Sequence, residues 1–333
     1  MNKRDSSIDF LRAIAILLMT ITHVNALLHT GNNTVLDIFT TAGATLCFSI
    51  FLFCSSYVTG LKAQSNQFPN VKHTLKRIFE IYLIYLILGI FITFVLEGSI
   101  NFNRIVDIAL LKYVPEFSEF LIAFIFFSLV SLVLNKQIKR LINKPFLFIS
   151  LTLFIYLLGI IIYNLISQHT YPDILRIPLE NIFGYKSLHR FPLTYYLPIY
   201  TFGVLMSKYN SKKILILIPI ASLIIFIILF LFNISHWYRW PPSTLFLLYG
   251  FIFIPFILLI YRLLKKYLKK GIFKIFSNIG RFPLEQFFLS TLLVFISKLL
   301  FTATDNEILS ILVNISVFSI LLLHPIVFRR KMV

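Results

Sequence analysis

Apolar runs of 15 to 25 residues recur from one end of the chain to the other, and no other feature limits its fold so tightly. They cover 8–28, 38–61, 78–96, 118–134, 146–166, 192–206, 214–232, 244–264, 284–300 and 308–328. A bilayer core of roughly 30 Å is crossed by about 20 helical residues. Within it, backbone N–H and C=O groups must be satisfied inside the segment, which favours helices. The runs therefore predict an all-α, polytopic integral membrane protein with about ten transmembrane helices. Composition excludes the soluble alternative: 58% of the residues are hydrophobic and 13% are charged, against roughly a quarter charged in a soluble domain. The first run is long enough to span and is followed by no small-residue cleavage site, so it reads as a span rather than a leader. The stretch 100–114 is amphipathic and suits the membrane interface.

Charge gives the orientation. With the N-terminus inside and the spans alternating, 23 of the 31 Lys and Arg residues fall in inner segments and 6 in outer ones, while Arg12 and Lys298 lie within spans. That asymmetry follows the positive-inside rule and places both termini in the cytoplasm. It also accounts for the net charge of +18 without a nucleic-acid partner. The acids show the opposite bias: Asp37, Glu97, Asp107, Glu116, Glu119, Asp173, Glu180, Asp305 and Glu307 all fall outside. The outer loops 97–117 and 167–191 thus carry both signs of charge and suit a polar ligand better than plain hairpins do. No soluble domain is expected beside the single membrane domain 1–333. Cys47 and Cys54, seven residues apart, share a helix face as small lipid-facing or packing residues and form neither a disulfide framework nor a metal site.

Ionisable groups inside a membrane are costly and mark function. Asp9 and Arg12 lie three apart on the first helix and can pair. His23 follows Arg12 by eleven residues, about three turns, so the two share a face roughly 16 Å apart along the axis. Glu80 enters the third span just after Lys76 and Arg77, and Glu285 opens the ninth. Lys298 is expected to snorkel outward and His324 to sit at the inner interface. His29, His169, His189 and His236 fall in outer loops without a second ligand at helical spacing. The run His236 to Ser243 holds Trp237, Tyr238, Arg239 and Trp240 before two prolines. It reads either as an interfacial aromatic anchor or as a platform on which a sugar ring stacks, with Arg239 binding a hydroxyl or an anionic group.

The segment Arg4-x4-Asp9-Phe10-Leu11-Arg12-x10-His23 resembles the start of the membrane acyltransferase type 3 family, whose first helix carries an Arg and a His separated by ten residues. Other segments agree. Phe51 to Tyr57 is similar to a Phe-rich Ser-Gly-Phe segment, with Ser56 where Gly is usual. Arg77-x2-Glu80-Ile81-Tyr82-Leu83-x-Tyr85 resembles the third-helix motif Arg-x2-Arg-Ile-Tyr-Pro-x-Tyr, with Glu80 and Leu83 as departures. Phe202-Gly203-Val204-Leu205 and Ile279-Gly280-Arg281 resemble two later segments, and Ser290 stands where His-Pro usually follows.

The resemblance implies an enzyme that moves an acyl group, commonly acetyl, from cytoplasmic acyl-CoA to a hydroxyl of a cell-surface or lipid-linked carbohydrate. On that reading His23 is catalytic, as a general base or as an acyl carrier. Arg12, oriented by Asp9, holds the donor phosphates together with Lys76 and Arg77. Glu80 removes one phosphate contact and pairs within that group. Arg190, Trp237, Arg239 and Trp240 are the acceptor-side candidates. Acyl-CoA is a co-substrate rather than a resident cofactor, and no metal is implied. The richness in Ile, Lys, Phe and Asn points to an AT-rich bacterial genome, and so to a bacterial cytoplasmic membrane. The competing class is a polysaccharide or lipid-linked sugar exporter, against which the spans lack paired Gly/Pro-interrupted half-helices.

Overall fold

A computed structural model describes residues 5–65, 70–185, 190–234, 238–268, 277–303 and 307–327. The described residues are helical and contain no strand. In chain order the helices are α1 (Ser6–Leu28), α2 (Thr34–Gln64), α3 (Val71–Glu97), α4 (Phe102–Ala109), α5 (Glu119–Val133), α6 (Asn135–Ile142), α7 (Pro145–Ile166), α8 (Asp173–Phe183), α9 (Leu193–Tyr209), α10 (Lys212–Leu231), α11 (Thr244–Leu268), α12 (Pro283–Leu300) and α13 (Glu307–Val327). Their starts follow local chemistry. Asp5, Asn70, Asn101 and Ser211 each accept a backbone N–H at a helix N-terminus, answering donors that no helix can satisfy itself. Pro145 and Pro283 occupy the first turns of α7 and α12, where a missing N–H costs nothing.

Among the described residues, eight helices are long and apolar enough to cross a membrane: α1, α2, α3, α7, α10, α11, α12 and α13. The other two expected spans fall on α5 and α9. With 15 residues, α5 rises only about 22 Å before a 77° bend into α6, and the bent pair raises the number of possible crossings to nine. The 17 residues of α9 fall at the lower limit for a span. Lipid-facing surface is plain on α10, where Leu217, Ile220, Ile224, Phe230 and Leu231 are exposed. The expected interfacial stretch contains α4, which exposes Phe102 and buries Ile108.

The chain forms two compact units, one of residues 1–51 with 252–333 and one of residues 52–251. In the first, α1 packs against α12 and α13, Cys47 Sγ donates to the Ala15 carbonyl at 3.3 Å, and Tyr261 bonds Ser6 Oγ at 2.6 Å. In the second, α9 packs on α7, with Thr152 and Thr201 joined at 2.8 Å and Tyr156 bonded to Thr244 at 3.0 Å. Two segments picked out by the family resemblance meet here. Phe53 and Phe202 are in ring contact, with centroids 5.1 Å apart. A Cβ on Gly203 would collide with Ser56 Oγ and come within 2.6 Å of the Phe53 carbonyl oxygen. Small residues that let backbones approach are the usual cement of helices in lipid, where no hydrophobic force draws apolar surfaces together.

Gly203→Ala is expected to destabilise the second unit by about 1–3 kcal/mol through overpacking, read as a lower melting temperature in detergent. Adding Ser56→Gly should restore only part of the loss, because the Phe53 carbonyl contact remains.

Candidate active site

Helix α1 carries the central residues. Asp5 caps it by accepting the Ser7 N–H at 2.9 Å. Asp9, in the first turn, faces the positive end of the helix dipole and is buried. Arg12 Nη1 lies 3.6 Å from Asp9 Oδ1. At that distance the contact is an ion pair rather than a hydrogen bond, and it engages one corner of a five-donor fork. The Arg12 side chain keeps 17% exposure, enough for an anion to reach it. His23 is half-buried eleven residues on.

The helix is fixed at several points within its unit. The turn at Gly280 lies so close that a Cβ there would strike the Asp9 carbonyl group and reach 3.0 Å from Ala13 N. Two residues beyond His23, Asn25 Oδ1 accepts from Ser310 Oγ at 2.7 Å, and Asn25 Nδ2 donates to Thr40 Oγ1 at 3.0 Å. Lys298, expected to reach outward, donates to the Leu27 carbonyl at 3.2 Å, one of the last-turn carbonyls a helix leaves unpaired. His324, expected at the interface, is hydrogen-bonded through Nδ1 to Gln286 Nε2 at 3.0 Å. Asn25, Gln286 and Thr291 were not singled out from the sequence, although each is a polar residue inside an apolar run.

The remaining donor candidates belong to the second unit, at the start of α3. Lys76 is exposed. Arg77 Nη1 pairs with Glu80 Oε2 at 3.2 Å, with both side chains more than two-fifths exposed, a pair worth about 0.3–0.5 kcal/mol. Glu80 thus draws on the charge of Arg77. Further along the same helix, Tyr82 donates to the Ala109 carbonyl at 2.7 Å and Tyr85 to that of Ile108 at 3.1 Å, fastening α4.

The second unit also gathers the expected outer loops into one charged cluster. Glu180 on α8 has no exposed surface. Arg190 reaches it at 2.8 Å and Arg176 at 3.1 Å. Arg176 also holds Asp173 at 2.8 Å, which Lys112 meets at 3.2 Å. Arg190 donates further to the carbonyl of Leu111 at 3.0 Å, a residue held at φ 59°, where a non-glycine backbone is strained. Burial pushes the Glu180 carboxyl above its ordinary range, against the lowering pull of Arg190 and Arg176. Burial likewise lowers Arg190, opposed by Glu180. Asp173 is held low by its hydrogen bonds from Lys112 and Arg176.

Next along the chain, Phe191 meets Trp240 edge-on with centroids 4.6 Å apart, and the Arg239 guanidinium lies 4.7 Å over the Trp240 ring. The positive charge of Arg239 acts on the buried Glu119. Arg190 and Arg239 are thus the chain neighbours of the two rings in contact, whereas Trp237 falls outside the described residues. Among the described residues, the buried Arg190 Nη1, Arg239 Nε and Glu119 Oε2 have no hydrogen-bond partner. Glu119, Arg176 and Glu180 were not picked out individually, though the mixed charge of loop 167–191 and the four-residue spacing of Arg176 and Glu180 are visible in the sequence.

Multiple membrane-spanning helices, a paired Arg and Asp at the start of one of them and a half-buried His further along it define a polytopic membrane protein equipped for polar chemistry. The acyltransferase domain family model (Acyl_transf_3) matches residues 5–330. The chain belongs to this family, acyltransferase 3, and is a multi-pass membrane acyltransferase. No curated protein and no solved structure matches it.

Glu180→Ala should leave Arg190 buried and uncompensated, at a cost of about 3–5 kcal/mol. Thermal unfolding in detergent measures it, and a melting temperature equal to that of wild type would show that the cluster is not structural.

Proposed function

We propose that the protein transfers an acyl group, acetyl in the simplest case, from cytoplasmic acyl-CoA to a hydroxyl of a cell-surface or lipid-linked carbohydrate, in the cytoplasmic membrane of a bacterium. The observation that carries this is the arrangement on α1, with Arg12 paired to Asp9 near its start and the half-buried His23 eleven residues on. The charge count puts the Arg12 end at the cytoplasmic side.

A guanidinium suits phosphate because its planar fork donates two parallel hydrogen bonds. Arg12 binds the phosphates of the donor, and Asp9 holds its fork in place. Lys76 and Arg77 add positive charge on the cytoplasmic side, and Glu80 moderates it. The thin acyl-bearing arm runs along α1 over the roughly 16 Å to His23. There the acceptor hydroxyl attacks the thioester carbonyl carbon while His23 takes its proton as general base. The tetrahedral intermediate collapses with loss of the C–S bond, the CoA thiolate leaves, and the protonated His23 returns the proton to it. The products are a carbohydrate ester and free CoA. The acceptor is held from the outer side by Arg190, Arg239 and Trp240, with Trp237 in the same run. Because Arg239 already covers Trp240, polar contact from the two arginines contributes more than ring stacking.

His23→Ala protein, inserted at wild-type level, should lower esterification of surface polymer by about 10²-fold or more. Mass spectrometry of the polymer before and after mild alkali, with and without the gene, measures it. Polymer that keeps its alkali-labile groups in the His23→Ala strain would sink the reading, and polymer retained inside the cell on deletion would favour an exporter. Arg12→Lys should raise KM for acetyl-CoA by about tenfold, since a point charge replaces the fork.

A further inference from the structure

The second unit holds two opposite charges that come near each other without closing into a pair. Glu119 opens α5 and is 8% exposed. The backbone N–H groups of Phe117 and of Glu119 itself steady its carboxyl group, yet Oε2 is buried and has no hydrogen-bond partner. Arg239 lies 4.7 Å over the Trp240 ring, and its buried Nε likewise has no partner. The charge of Arg239 acts on Glu119, but among the described residues no ion pair joins them. Ring contacts run between the two. Phe191 meets Trp240 at 4.6 Å and Tyr196 at 5.5 Å between centroids, and the buried Tyr196 feels the charges of both Arg239 and Glu119.

Unmet capacity of this kind calls for an explanation. A buried acid and base kept only for structure are expected to close on each other, since their attraction offsets the loss of water. Here the carboxyl group keeps a free lone pair and the guanidinium a free N–H. The cluster is not sealed, because Arg239 and Trp240 are only half-buried and Tyr238 beside them is exposed. The charge count puts it on the outer side. Chemistry then selects the ligand. An anionic group would gain from Arg239 but face the Glu119 carboxylate, and an ammonium would meet the converse conflict. Two neighbouring hydroxyls meet neither, because a hydroxyl both donates and accepts. One donates to Glu119 Oε2 while the other accepts from Arg239 Nε, and bonds to charged groups are the stronger ones.

We infer that Glu119 and Arg239 together bind two adjacent hydroxyls of the acceptor sugar, so that recognition rests on an uncharged diol rather than on an acidic group. This deepens the acyl-transfer reading above and rests on it. It gives Glu119 a part in acceptor binding, and it settles the choice between a hydroxyl and an anion as the ligand of Arg239.

The test is transfer of label from radiolabelled acetyl-CoA by the full-length protein in membranes, with the carbohydrate fraction of cells lacking the gene as acceptor. Glu119→Gln keeps the shape and removes the charge. It should raise the KM for the acceptor fraction by about tenfold and leave kcat and the KM for acetyl-CoA unchanged. Arg239→Lys, which keeps the charge but loses the Nε–H, should act in the same way. Reducing the carboxyl groups of the acceptor fraction with carbodiimide and borohydride should leave transfer intact, whereas periodate, which cleaves adjacent diols, should abolish it. An unchanged acceptor KM in Glu119→Gln overturns the inference, as does an equal rise in the KM for acetyl-CoA, which would mark a structural role. Loss of transfer on carboxyl reduction, or its survival after periodate, overturns it as well. Absence of any transfer by the wild-type protein is a different result: it removes the acyl-transfer reading and this inference with it.

Discussion

In lipid, no hydrophobic force pulls one apolar helix onto another, so helix association rests on close approach and on hydrogen bonds. The placement of α1 depends on both. A glycine at 280 lets a turn come against the main chain at Asp9 and Ala13, close to the Arg12–Asp9 pair. At the far end, two hydroxyls and an ammonium from other helices bond to Asn25 and Leu27. Between these clamps the helix has little freedom to slide or rotate. The separation of Arg12 and His23 follows from helical geometry alone, but their depth and facing are set by the clamps.

The second unit solves a different electrostatic problem. Taking Glu180 out of contact with solvent is costly for a carboxylate, and the structure offsets that cost with two arginines at 2.8 and 3.1 Å. Arg190 is nearly as buried, so the pair is mutually dependent, and its two shifts run in the directions that burial dictates. The exposed ends of the network, Lys112 and Asp173, are solvated and contribute little. Arg190 also binds the Leu111 carbonyl beyond α4, and Tyr82 and Tyr85 bind the carbonyls of Ala109 and Ile108 at its end. The expected interfacial helix is thus held by named side chains as well as by its apolar face.

Much of this was legible in the sequence because the bilayer leaves a coarse imprint. Eight spans follow from run length and hydropathy, and the first helix announced its Asp, Arg and His. The pair α5 and α6 was less legible: an apolar run says nothing of a bend after Val133, which depends on how the ends of the run are packed. Helix α8 lay hidden in what reads as a charged loop, with Pro178 inside it. Its identity comes from Glu180, whose value lies in a residue ten positions away in sequence, and such a pairing leaves no periodic signal. The polar positions on α12 were equally quiet, since the partner of Gln286, His324 on α13, shows only in the fold.

The packing of α12 also bears on the departures from the family pattern. Ser290 stands where the resemblance leads to an imidazole followed by proline, yet its hydroxyl turns back onto the Phe287 carbonyl. One turn earlier, Gln286 holds the imidazole of His324, which is contributed by α13. The polar group on α12 and the imidazole have thus come from different helices, joined by a 3.0 Å hydrogen bond. A His borne on α12 itself would fix its ring by one backbone alone. Here Gln286 meets the ring across the α12–α13 contact, so the placement of this imidazole depends on two helices rather than on a single motif.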